Sequence, residues 1–131
     1  MNALDTNVLV RLLVNDDEAQ CAKAKALCER AEVRGERLFV AIPVVLELFW
    51  TLRAVYDCPR ADIIGALEQL TLTPLFAFEA PDRIRDLIDL GRKTALDPAD
   101  ILIGLTARDF GYEATLTFDR RATKSELFQR I

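Results

Sequence analysis

Short strand-like runs alternate with helix-like stretches along the whole of this 131-residue chain, and that alternation constrains the fold more than any other feature. Residues 2–4 read as a first strand, 37–41 as a second, 74–78 as a third, 114–118 as a fourth and 128–130 as a short fifth. Apolar spacing predicts helices over 6–13, 18–34, 43–56, 60–70, 81–94 and 98–110. Pro43 and Pro98 suit the first turn of a helix, and Gly35 and Gly111 suit the end of one. Strands separated by helices imply a parallel sheet covered on both faces, an α/β class chain built as a three-layer α/β/α sandwich. No linker, repeat or low-complexity segment interrupts the pattern, so residues 1–131 are expected to form one domain.

Four acids fall at or inside strongly apolar segments of this pattern. They are Asp5 in Leu4-Asp5-Thr6-Asn7-Val8-Leu9, Glu47 in the stretch 42–56, Asp100 in Asp100-Ile101-Leu102-Ile103, and Asp119 after Leu116-Thr117-Phe118. A carboxylate buried without a partner is costly, so four such groups ask for a compensating cation. The chain has no histidine, and its three cysteines form no ligand pair. An all-oxygen donor set suits a hard ion, Mg2+ or Mn2+. Position supports the same idea, because ligands of open parallel sheets bind outside the carboxyl ends of the strands. Asp5 lies just past the first strand and Asp119 just past the fourth. Glu47 and Thr51 are the only polar side chains between Val44 and Leu52, so the helix around them is expected to be buried on all sides. Each acid also has a local role open to it. Asp5 suits an N-cap, Asp100 favours a helix dipole, and Asp119 suits the start of a turn. Asp97, before Pro98, is read as an N-cap.

The formal charge of −4, from 17 basic and 21 acidic residues, argues against non-specific binding to nucleic acid unless several acids are metal ligands. The basic residues are unevenly spread: Arg120, Arg121 and Lys124 follow Asp119, and Arg92 and Lys93 precede Asp100. Positive charge there suits a phosphate substrate, and a solvated surface cluster is an equal reading of the same residues. Cys21, Cys28 and Cys58 read as small buried hydrophobes in a reducing compartment. The amino terminus carries no basic region followed by an apolar stretch, and no apolar run reaches about 18 residues, which predicts a cytoplasmic protein without a membrane partner.

Leu4-Asp5-Thr6-Asn7-Val8-Leu9, Val45-Leu46-Glu47-Leu48-Phe49-Trp50-Thr51-Leu52, Asp100-Ile101-Leu102-Ile103 and Leu116-Thr117-Phe118-Asp119-Arg120 together resemble, in order, the four motifs of the PIN-domain nucleases. The short chain is similar to the VapC toxins of bacterial type II toxin–antitoxin pairs. The resemblance implies that Asp5, Glu47, Asp100 and Asp119 are the acidic, metal-binding catalytic set, with Thr6, Asn7 and Thr117 as accompanying polar positions. It further implies a central sheet of about five mostly parallel strands, ribonuclease activity, dimerisation, and inhibition by a small antitoxin in a hetero-oligomer.

Chemistry then sets the expected mechanism. Phosphodiester cleavage needs an activated water and neutralised phosphate charge, which one or two Mg2+ ions held by shared carboxylates supply. An imidazole mechanism is excluded. Arg120 and Arg121 are expected near the substrate phosphate. Two other classes compete: a Mg2+-dependent phosphotransfer or phosphatase-like domain, and a catalytically inert PIN-like interaction domain. A phosphatase of that kind wants a second Asp two residues after Asp5, where this chain has Asn7.

Overall fold

The second strand-like run forms β1 (Leu38–Val40) in the computed structural model, which describes residues 1–131 as two compact units, Met1–Pro81 and Asp82–Ile131. In the first unit β1 is hydrogen-bonded along both edges. On one side β2 (Phe76–Phe78) pairs with it in parallel, Leu38 opposite Phe76 and Val40 opposite Phe78. On the other side only Ala3 bridges to Phe39, with Leu4 N–H donating to Phe39 O at 2.9 Å and Phe39 N–H to Asn2 O at 3.0 Å. Leu38 and Val40 are buried, whereas Phe39, one residue out of phase, is exposed, as the two-residue period of a strand requires.

Helices α1 (Thr6–Leu13), α2 (Glu18–Val33), α3 (Ile42–Ala54) and α4 (Arg60–Leu72) complete this unit. α1 packs on α2 and α3, α3 on α4, and α4 on β2. The buried residues of α2 are Cys21, Ala24 and Ala31, whose small size suits close approach to α1. Gly35, at φ 66°, ends that helix, with Glu36 N–H donating to Ala31 O at 2.9 Å. α3 lacks a side-chain cap of its own at Ala41. Instead Glu79, just past β2, accepts from Ile42 N–H at 2.8 Å and places negative charge at the positive end of the helix. A second tie joins α1 to the end of α3: Arg11 donates to Asp16 at 2.8 Å and to Tyr56 at 3.1 Å, and the Tyr56 hydroxyl donates to Asp16 at 2.7 Å.

The second unit contains most of α5 (Pro81–Lys93), then α6 (Pro98–Asp109), β3 (Thr115–Thr117), a 3-10 turn at Ala122–Lys124, and β4 (Phe128–Arg130). α5 buries Ile84, Leu87, Ile88 and Gly91, one stripe of an amphipathic helix. Arg83 is ion-paired with Asp86 on its own helix and with Asp109 at the end of α6. β3 and β4 are parallel, Thr115 opposite Phe128 and Thr117 opposite Arg130, and β3 contacts α6.

Two expectations are corrected. The expected central sheet of about five strands is replaced by two separate parallel pairs, β1 with β2 and β3 with β4, plus the single bridge at Ala3. The named strands are three residues long, and the first run turns into α1 directly after Leu4, so it contributes one bridging residue rather than a strand. The α3 helix is not buried all round. Val45, Leu48, Phe49 and Leu52 are buried, but Pro43, Glu47, Trp50 and Ala54 are exposed, Trp50 by 62%. Apolar composition around a helix thus does not ensure cover when neighbouring elements pack on only part of its circumference.

Gly104 on α6 is required by close packing. A Cβ there would lie 2.8 Å from Leu127 Cβ and 3.2 Å from Phe128 Cε2. Gly104→Ala gains up to about 1 kcal/mol of helix propensity but forces an overpacked contact that costs about 1–3 kcal/mol. A lower urea midpoint is the expected outcome. Asp16 gives a pH test, because the Tyr56 hydrogen bond first, and Arg11 second, hold its carboxyl below the ordinary value of 3.8. A carboxyl depressed on folding adds stability that is complete above its unfolded pKa and is lost as pH falls through its folded pKa. Asp16→Asn is therefore expected to lower stability at neutral pH and to flatten the loss of wild-type stability below about pH 4, measured as urea midpoints across the acid range.

Candidate active site

The chain turns sharply after Leu4, and Asp5 caps the helix that begins there: its Oδ1 accepts from Thr6 N–H at 2.8 Å. Asp5 is exposed, and no hydrogen bond uses its Oδ2. Thr6 is only 4% exposed, and its Oγ1 is buried without a hydrogen-bond partner. Asn7 is exposed one position further on. Glu47, in the second turn of α3, is exposed on the same stripe as Trp50. These residues belong to the first unit.

In the second unit Asp97 caps α6, accepting from Ala99 N–H at 2.8 Å, as Pro98 at the first helical position suggests. Asp100 follows in the first turn and is half-buried. Asp119 lies two residues past the end of β3 in a turn that uses its own side chain and that of Thr117. Its N–H donates to Thr117 Oγ1 at 3.0 Å, and its Oδ1 accepts from Arg121 N–H at 2.8 Å. Asp119, Arg120 and Arg121 are exposed, and Thr117 is half-buried.

The acids therefore differ from the expectation of buried carboxylates. Asp5, Glu47 and Asp119 are open to water, and Asp100 is half-buried. The local roles open to Asp5 and Asp119 are realised as well: one is a helix cap and the other closes a turn. No group of three or more acidic or thiol side chains is assembled in an arrangement that would hold a metal ion. The donors themselves fit a hard cation, being oxygen throughout, and the caps at Asp5 and Asp119 occupy one oxygen each. The cysteines are free, and burial, reinforced by Glu32 and Glu29, pushes the Cys28 thiol up, away from the reactive thiolate.

Three features escaped the sequence reading. The Glu79 cap has no local signal, because its partner lies 37 residues away. The Arg11, Asp16 and Tyr56 cluster shows in the sequence only as a lone charged residue in the apolar run Val8–Leu13. Thr94 and Ser125 line a cavity with Arg121 and Lys124, joined by chain reversal rather than by spacing.

Residues 3–126 match the family described as the PIN domain, a span that includes residues of both units. The chain is also similar to a "VapC ribonuclease" of Aquifex aeolicus (strain VF5), 32% identical over 124 residues that cover 95% of this chain and 91% of the relative.

Because Asp5 is a cap as well as a candidate ligand, its substitutions separate the two roles. Asp5→Ala is expected to lower stability by about 1 kcal/mol, whereas Asp5→Asn, which caps nearly as well, is expected to leave the urea midpoint close to wild type.

Proposed function

The chain belongs to the PIN-domain family, and from that premise we propose that it is a divalent-metal-dependent endoribonuclease, the toxin of a toxin–antitoxin pair. The observation that carries this reading is the match to a ribonuclease along 95% of the chain. Residues 1–131 are read as one nuclease domain, acting on RNA in the cytoplasm; no helix is long and apolar enough to cross a membrane.

In this reading Asp5, Asp100 and Asp119 hold Mg2+ or Mn2+, and Glu47 assists from α3. When bound, the ion supplies charge neutralisation at the phosphate and lowers the pKa of water. The remaining work belongs to the chain. Glu47 is exposed and makes no hydrogen bond, so it is free to accept the proton of the attacking water, a task no imidazole can take in a chain without histidine. The caps at Thr6 N–H and Arg121 N–H fix Asp5 and Asp119 in one orientation each. The buried Thr6 hydroxyl is available to a neighbouring carboxylate rather than to substrate, while Asn7, Arg120 and Arg121 are accessible to phosphate oxygens. Thr117 acts on Asp119 through the turn they share.

Two partners complete the proposal. A second copy is expected to cover the exposed stripe of α3, where Trp50 stands in water. An antitoxin helix is expected between α1 and α2, where Asn7, Val8, Arg11, Lys23, Ala24 and Leu27 line a groove of about 240 Å3. Val8 and Leu27, both half-buried, give this groove its apolar contact surface above the buried Ala24.

Purified wild-type chain is expected to cleave RNA with Mg2+ and to stop when EDTA is added. Asp119→Asn and Asp100→Asn are expected to lose at least about a hundredfold in rate, the scale of one lost acid–base or electrostatic group, while Asp97→Asn retains activity because Asn also caps. Expressed alone, the wild type is expected to arrest growth and Asp119→Asn to be harmless. Normal growth with abundant soluble, active wild type would remove the toxin role and leave the nuclease.

A further inference from the structure

Beside the turn that holds Asp119, within the second unit, lies a cavity of about 420 Å3 lined by Thr94, Ala95, Leu96, Arg121, Lys124 and Ser125. That volume falls in the range of small-ligand pockets, about 300–1,000 Å3, and is ample for one nucleotide. Its lining is of two kinds. Leu96 is buried and Ala95 adds a methyl group, which makes an apolar wall. Arg121 and Lys124 are exposed cations, and neither is ion-paired. The hydroxyls divide the remaining work. Ser125 Oγ accepts from Leu127 N–H at 3.2 Å and keeps its own proton for a ligand, while Thr94 Oγ1 donates to Leu90 O at 2.7 Å and accepts from Leu96 N–H at 3.4 Å, which leaves it one further acceptor position.

Two unpaired cations call for an anion, and the apolar wall calls for something more than a bare phosphate. Single-stranded RNA offers both, since its unstacked bases lie against side chains while its backbone is held by positive charge. The turn links this cavity to the candidate catalytic carboxylate. Arg121 N–H is bonded to Asp119 Oδ1 at 2.8 Å, so the position of Arg121 at the cavity and the orientation of Asp119 are set together. The groove between α1 and α2 differs, because its Arg11 is already engaged by Asp16.

Resting on the ribonuclease reading, we propose that this cavity seats one unstacked nucleotide of a single-stranded RNA substrate, near the bond that is cut. Arg121 and Lys124 hold its phosphate, Leu96 and Ala95 contact its base, and Ser125 and Thr94 read its polar edge. The pocket is then a determinant of which RNA sequence is cleaved.

The probe is a fluorescent pool of short single-stranded RNA of random sequence, titrated in EDTA at several salt concentrations, with cleavage followed separately in Mg2+. Arg121→Ala combined with Lys124→Ala is expected to weaken binding at least about tenfold, the scale of one lost charge-assisted hydrogen bond. The slope of log K against log salt is expected to fall by ~0.7 for each phosphate contact removed. Ala95→Leu narrows the apolar side without changing charge, so KM is expected to rise while the salt slope holds. Lys25→Ala combined with Arg34→Ala, exposed cations on and just after α2, is the charge-matched control and is expected to change neither quantity. Equal losses from the control pair would mean diffuse attraction and overturn the site, as would wild-type KM in Ala95→Leu. Cleavage with KM unmoved by every variant removes the nucleotide site but leaves the ribonuclease. Binding that needs Arg121 and Lys124 in a protein that cuts no RNA keeps the nucleotide site and removes the ribonuclease.

Discussion

β1 is hydrogen-bonded on both edges, and the first unit hangs from that strand. Because β2 pairs with it in parallel, and Ala3 bridges it in parallel, the chain leaves all three segments at the same end. Asp5 follows the Ala3 bridge, the N-terminus of α3 follows β1, and Glu79 follows β2. Parallel pairing forbids a tight hairpin, so the connections from Ala3 to β1 and from β1 to β2 must be crossovers, and both are helical, through α1 and α2 and through α3 and α4. That end therefore gathers the N-termini of α1 and α3, which favour negative charge. Asp5 and Glu79 both answer that field, one capping its own helix and the other capping a helix far away in sequence.

The second unit meets the same requirement with less material. β3 and β4 make a two-stranded pair, and its contact with α6 is matched by the close approach of Gly104 to Leu127 and Phe128. Past β3 the chain closes on itself through Thr117, Asp119 and Arg121, a turn built from side-chain hydrogen bonds rather than from glycine. The turn orients a carboxylate and sets out the basic residues after it. Acid and base adjacent on one short segment suit a site that handles phosphate beside a cation.

Exposure changes the electrostatic argument for the acids. Buried carboxylates would demand a cation to offset desolvation, whereas Asp5, Glu47 and Asp119 are solvated and stable without one. Their case as ligands rests on donor chemistry and on family membership. It also rests on economy of local bonding, since a single oxygen of Asp5 and of Asp119 meets the backbone.

Much of this molecule was legible in the amino-acid sequence because the signals are local. Helix periodicity placed α1 at 6–13, and Pro98 with Asp97, Gly35 and Gly111 marked boundaries that the structure respects within a few residues. The same locality made the four acid motifs readable in order. What the sequence left undetermined depends on partners distant in the chain. Whether 2–4 becomes a strand or a single bridge is decided by where β1 lies and by how soon Asp5 starts a helix. Whether Glu47 is buried is decided by which faces of α3 its neighbours cover, since an apolar residue reads alike in a core and on an open stripe. Glu79 as a cap, and Arg121 with Lys124 at a cavity opposite Leu96, exist only once the chain has folded back, because hydrogen bonding and packing act through space while periodicity acts along the chain.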